Sequence, residues 1–245
     1  MTLMALGAFV AVVGACDLLR AHRDDLSVLR QLAIIGVGAV ALAVLLAWTG
    51  DGSRGTVLLG LGLLVALATW VVASTAALRR GGGPGGAPLR ALAFGGLGLG
   101  AVVSALGVGA LEEWTVWPDR LAGTILARWP AYDVVVASGA VLLQLATANI
   151  VVRLLLDSVR SPSAGDEPAG GGRLLGPMER IFIVGLGAIG QTTAAAIIVA
   201  AKGLFRLPSL TGTASDSRAA TEHFLIGTFA SWLLGLVGVA MIYLA

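Results

Sequence analysis

The chain has 245 residues, of which 57% are hydrophobic and 12% charged, with a formal net charge of +2. Soluble domains carry about 25% charged residues, so a water-coated globule of this size is excluded, and the small positive balance gives no footing for nucleic acid. Apolar runs of about 20 residues recur, the helix length that crosses roughly 30 Å of hydrocarbon, without the period-two alternation of barrel strands. The expected fold is all-α, a polytopic transmembrane helical bundle of about seven spans, multi-pass in an inner or plasma membrane, with the lipid bilayer as its first partner.

Segment one covers Thr2–Leu19 and meets Arg20, His22 and Arg23 at its end. No basic stretch precedes it, which argues against a cleaved signal. Val13-Gly14-Ala15-Cys16 loosely matches a lipoprotein box, but Asp17 follows the cysteine. As Cys16 is the single cysteine, no intramolecular disulfide forms. Segment two is Leu29–Thr49, and Gly50–Gly55 makes a tight connection to segment three, Thr56–Leu78. Arg79, Arg80 and the run Gly81–Pro88 read as a flexible loop. In segment four, Leu89–Leu111, Gly96, Gly100 and Ser104 recur every four residues, a small-residue face that lets helix backbones approach closely in lipid.

Glu112–Pro130 carries Trp114, Trp117 and Trp129 with mixed charges, the composition of an interfacial helix or cap. Segment five, Ala131–Leu156, contains Gln144, Thr147 and Asn149. Ser158–Gly172 is polar and turn-rich, a disordered linker by composition. The domain reading is therefore a five-helix region at 1–157 with an interfacial segment at 112–130, a linker at 158–175 and a two-helix module at 176–245. The module holds segment six, Met178–Ala201, and segment seven, Glu222–Leu244. Alternation of sides gives one face ten of the sixteen basic residues and makes it cytoplasmic. The N-terminus is then outside and the C-terminus inside. Arginine outnumbers lysine 15 to 1, and glycine and alanine abound, the bias of a GC-rich bacterial genome.

Gly185, Gly187 and Gly190 fit G-x-G-x-x-G after an apolar run. A dinucleotide site also needs an acidic residue about twenty positions on and a second parallel strand; neither is readable, and a glycine-lined helix is the plainer reading. No other motif calls for a cofactor, and none has a metal-site spacing. On segment six, Arg180, Gly187, Gln191, Ile198 and Lys202 fall on one helical stripe. Gly227, Ser231 and Gly235 form a small-residue face on segment seven, with Glu222 and Thr228 near it. Antiparallel pairing of the two would bring Lys202 and Glu222 together at one membrane boundary, either as an ion pair that fixes two helix ends or as a substrate site. Ser215, Asp216 and His223 supply residue types for hydrolysis or metal binding, without a supporting motif.

Gly176-Pro-Met-Glu179-Arg180, Gly190-Gln191, Ala200-Ala201-Lys202, Arg206 and Glu222-His-Phe-Leu-Ile-Gly227-Thr228-Phe-Ala-Ser231 together resemble the C-terminal pattern of an uncharacterised bacterial integral-membrane family. The resemblance covers about the last 70 residues, and His223 stands where the pattern has tyrosine. It implies a membrane location and weight on the charged positions, and supplies no reaction. The candidate substrate-binding residues are Lys202, Glu222, Gln191, Arg206, His223, Arg180, Glu179 and Thr228. Three functions remain open: a small transporter or channel-like protein for an ion or solute; a non-transporting subunit or scaffold, with Gly/Ala/Ser faces suited to homo-oligomer contacts; and a membrane-embedded enzyme with an outer-face site.

Overall fold

The computed structural model describes residues 2–20, 26–49, 52–107, 124, 128–159, 172–197, 200–201 and 216–245. These fold into helices α1 (Thr2–Leu19), α2 (Val28–Thr49), α3 (Arg54–Arg80), α4 (Ala87–Leu106), α5 (Ala131–Leu142), α6 (Ala148–Val159), α7 (Gly172–Ala188) and α8 (Asp216–Tyr243). A π-helical turn, Leu143–Thr147, joins α5 to α6 without interruption. Among the described residues five helices are long and apolar enough to cross a membrane: Val28–Trp48, Arg54–Arg80, Ala87–Leu106, Ala131–Val159 and Leu225–Tyr243. The apolar stretch Leu3–Leu19 is shorter, about 26 Å at 1.5 Å per residue. The protein is an all-helical bundle with the composition of an integral membrane protein.

Local chemistry sets several helix ends. Ser53 caps α3 by accepting the Thr56 N–H at 3.3 Å. Gly81, at φ +63°, closes α3 by returning its N–H to Ala77 O. The glycine run that follows is a bonded turn rather than the expected flexible loop. Arg90 donates to Gly81 O and Gly83 O at 3.2 and 3.0 Å, and Arg80 donates to Gly85 O at 3.3 Å. Glycine carbonyls bare of side chains let two arginines clasp the connection from either flank.

Helix α1 runs through the middle of the bundle, packed by glycines. A Cβ on Gly14 would sit 2.8 Å from the backbone of Leu142, and one on Gly139 would strike the carbonyl of Gly7. The face expected on α4 does pack closely, but onto two helices: Gly96 lies on the backbone of Trp70 and Ala66 in α3, and Gly100 on the ring of Phe9 in α1. Such contacts let backbones approach where lipid offers no hydrophobic drive between helices. Phe9, Val13, Leu63, Leu67, Trp70 and Leu154 fill the core. Helix α2 turns Leu29, Leu32, Val40 and Val44 outward, a face fit for lipid chains. The tryptophan-rich segment expected at 112–130 lies outside the described residues except for Thr124 and 128–130, where Trp129 is exposed.

The last two helices depart from expectation in direction. Arg180 bonds Ser231, Ile183 touches Gly235 and Gly187 touches Val239, so α7 and α8 run parallel. Both oppose the 131–159 span, as Met241 packs with Val136, Gln144 bonds Leu234, and Gly227 meets Leu156. The antiparallel pairing expected of segments six and seven is therefore corrected. Segment six is not one helix. At its break Gly190 has φ +76°, Gly190 N–H bonds Gly187 O at 2.9 Å and Gln191 N–H bonds Leu186 O at 2.8 Å. This pair of bonds is a Schellman stop, and helical turns resume at 192–197. The expectation that the termini lie on opposite faces is also corrected, because Leu3 and Ile242 pack on one cluster at the same end.

Candidate functional site

Two polar clusters are buried in the bundle, and the π turn contributes to both. In the first, Asp17 and Arg20 of α1 and the residue after it pair at 3.0 Å. Asp17 Oδ2 also accepts from Thr147 Oγ1 at 2.8 Å and Trp70 Nε1 at 3.0 Å. Arg20 donates to Ser74 Oγ at 2.9 Å and Thr75 Oγ1 at 2.7 Å. Those hydroxyls can accept because each donates its proton one turn back, Ser74 to Trp70 O at 2.5 Å and Thr75 to Val71 O at 2.7 Å. Carboxylate and guanidinium are thus balanced in charge and well bonded, an arrangement that fixes α1 against α3 and the π turn.

The second cluster is built on Arg180 of α7, opposite the middle of the 131–159 span. Its guanidinium is 2% exposed. Nη1 donates to Ser231 Oγ at 2.9 Å; Nη2 donates to Gln144 O at 2.9 Å and Asn149 Oδ1 at 2.5 Å. The carbonyl of Gln144 is available because of the π turn. The Ala148 N–H that would bond it in an α-helix reaches back five residues to Leu143 O instead. Among the described residues no carboxylate hydrogen-bonds Arg180; Glu179, next in sequence and half-buried, acts on it through space. Two buried atoms of this cluster, Arg180 Nε and Gln144 Oε1, have no hydrogen-bond partner. The other end of the Gln144 amide, Nε2, donates to Leu234 O at 3.0 Å. Glycines flank the cluster: a Cβ on Gly176 would lie 3.4 Å from Arg180 Nη1, and one on Gly238 2.8 Å from Gln144 Nε2.

Of the residues singled out from the sequence, Arg180 is the centre of this cluster, and Thr228 is buried on α8 one turn before Ser231. Gln191 does not join them. The stripe Arg180–Gly187 ends at the Gly190 stop, and Gln191 is exposed beyond it. Glu222 is exposed at the opposite end of the bundle, because α8 begins where α7 begins. Lys202 and Arg206 lie outside the described residues, as do Ser215 and the side chains of Asp216 and His223, so the Lys202–Glu222 pairing lies outside them too. The three motif glycines do different work. Gly185 has open space before it, Gly187 packs on Val239 and Gly190 stops the helix. The segment before them is helix rather than strand.

Sequence reading missed Asp17, Arg20 and Trp70. The available signal was an ionisable residue near the end of an apolar run with an opposite charge three residues on; intramembrane charges are functional candidates by default. Gln144, Thr147 and Asn149 were noted as polar without an assigned partner. Among the described residues no three His, Cys, Asp or Glu side chains converge as metal ligands. A small cleft of about 10 Å³ between α1, α2, α3 and α5, with Met4, Ala8, Leu42, Leu63 and Val135 among its walls, is lined by apolar side chains. Compared with protein-family models, curated proteins and solved structures, the chain matches none of them.

Proposed function

We propose that this membrane protein carries a small ion or solute, with Arg180 as its binding group. The observation that carries the reading is a buried guanidinium level with the middle of the 131–159 span, whose hydrogen-bond partners are all neutral and whose Nε–H is spare. A charge at the bilayer centre costs about 2.5–3.5 kcal/mol on insertion scales. The Asp17–Arg20 pair offsets that cost internally; Arg180 has no hydrogen-bonded carboxylate among the described residues to do so. Glu179 acts on it only through space, and a ligand of opposite charge would add a hydrogen-bonded counter-charge. The resemblance of residues 176–231 to a bacterial membrane family supports the same site, since Arg180 and Ser231, both within the quoted pattern, bond each other.

A second reading, a non-transporting subunit or scaffold, is favoured by the glycine-packed helix crossings and the outward apolar face of α2. The enzyme reading rested on the last loop and gains no support from the Arg180 cluster. For orientation, Arg20, Arg30, Arg79, Arg80, Arg90 and Arg153 sit toward one end and Arg54 and Arg128 toward the other. The positive-inside rule then supports a cytoplasmic location for the first end in a bacterial cell membrane, with both termini outside.

Purified protein in liposomes, tested for flux across a panel of anions, cations and neutral solutes, decides between the readings. The expected result is flux of an anionic solute that Arg180→Gln abolishes. Absence of flux for every solute would favour the subunit.

A further inference from the structure

The Arg180 cluster carries more than a positive charge, because its two unsatisfied atoms differ in kind. Arg180 Nε–H is a donor and Gln144 Oε1 is an acceptor. Both side chains are buried, at 2% and 0% exposure. Leaving such an atom unpaired in the interior is unfavourable, more so for a charged group. The other nitrogens are all engaged: both Nη atoms of Arg180 donate, and Gln144 Nε2 donates to Leu234 O. One bound species could satisfy both atoms if it presents an anionic oxygen to Nε–H and a proton to Oε1.

We infer that Arg180 and Gln144 form a binding site for a small monovalent oxyanion that keeps an O–H donor, the class that includes hydrogencarbonate, dihydrogen phosphate and short hydroxycarboxylates. This rests on the reading of Arg180 as a ligand-binding group, and not on transport. Chloride, nitrate and acetate lack the donor and leave Gln144 Oε1 unpaired. The nearby charge of Glu179 disfavours a second negative charge on the ligand. Small size follows from the packing at Gly238, where a single added carbon would come within 2.8 Å of the Gln144 amide. Helix α7 is loosened one turn before Arg180. Pro177 lies inside that helix and removes the backbone donor that residue 173 would otherwise meet. Gly176 beside it leaves the Nη1 side of the guanidinium without a side chain over it.

The test is binding to the full-length protein in detergent, by calorimetry and thermal shift, with hydrogencarbonate, phosphate at pH 6, lactate and glycolate set against chloride, nitrate and acetate. The expected result is that at least one donor-bearing anion binds tenfold or more tightly than its donor-free counterparts. Gln144→Met, close in shape, should erase that preference, and Arg180→Lys should weaken all anions. Equal binding of nitrate and the donor-bearing anions overturns the inference. So does unchanged preference in Gln144→Met, or no shift with any probe, the result if water alone bridges the two atoms. If Arg180→Lys does not fold, Gln144→Met alone decides. Binding without flux would sink transport and leave this site standing; flux insensitive to Arg180 and Gln144, with no binding preference, would do the reverse.

Discussion

Thr147 Oγ1 donates to Asp17 Oδ2 at 2.8 Å, joining residues 130 positions apart. Three residues before Thr147, the carbonyl of Gln144 accepts from Arg180. One π turn therefore holds the balanced ion pair on one side and the lone guanidinium on the other. A hydrogen bond to a charged group contributes about 1.5–3 kcal/mol, so Thr147→Val should destabilise the protein by that order. In an Asp17→Asn background the loss should shrink. Thermal unfolding of the four proteins in one detergent measures the coupling; strictly additive losses would show that the bond carries no energy of its own.

Breaking the Asp17–Arg20 pair from one side should cost more than removing it whole. Asp17→Leu strands a buried guanidinium, an effect of about 3–5 kcal/mol. Asp17→Leu with Arg20→Met replaces both charges by apolar groups of similar bulk and should recover the part due to the stranded guanidinium, while Trp70 Nε1 and Thr147 Oγ1 still lose their acceptor. A double variant no more stable than Asp17→Leu alone would contradict this account, since Ser74 and Thr75 back-bond within α3 and need no partner from Arg20.

Glycines on the crossings should separate cleanly from glycines on the outside. Gly139→Ala forces a methyl against the Gly7 carbonyl, and backbone yields poorly, so a loss of about 1–3 kcal/mol is expected. Gly95→Ala meets nothing within 4 Å and should be neutral or stabilising by up to about 1 kcal/mol from helix propensity. Melting temperatures that rank the two in the opposite order would refute the α1–α5 crossing.

The stop at Gly190 rests on φ +76°. Alanine there pays roughly 1–2 kcal/mol for the left-handed conformation, whereas asparagine tolerates it better. Gly190→Ala should therefore lower the melting temperature more than Gly190→Asn, and equal effects would argue that the helix runs straight on.

Parallel α7 and α8 put Ala245 at the same end as Trp129, opposite Gly82. In a Cys16→Ala background, Trp129→Cys and Ala245→Cys should react with an impermeant thiol reagent from one side of the membrane and Gly82→Cys from the other. Seven simple alternating spans would instead group Ala245 with Gly82.

Residue content by itself determined the helical membrane class, since apolar runs of span length admit few other structures once every backbone group must be bonded within the chain. It also marked the close-packing glycines of α4 and two bonded members of the buried cluster, Arg180 and Ser231. Tertiary structure alone decided the direction of α8. Hydropathy registers how oily residues 178–201 are, but not the positive φ at Gly190 that stops the helix inside that run. It alone also joined Asp17 to Trp70 and Thr147, 53 and 130 positions away. Gln144 gained its role only in the fold, because a carbonyl becomes an acceptor for Arg180 when the backbone slips from four-residue to five-residue bonding, and no side-chain pattern records that slip.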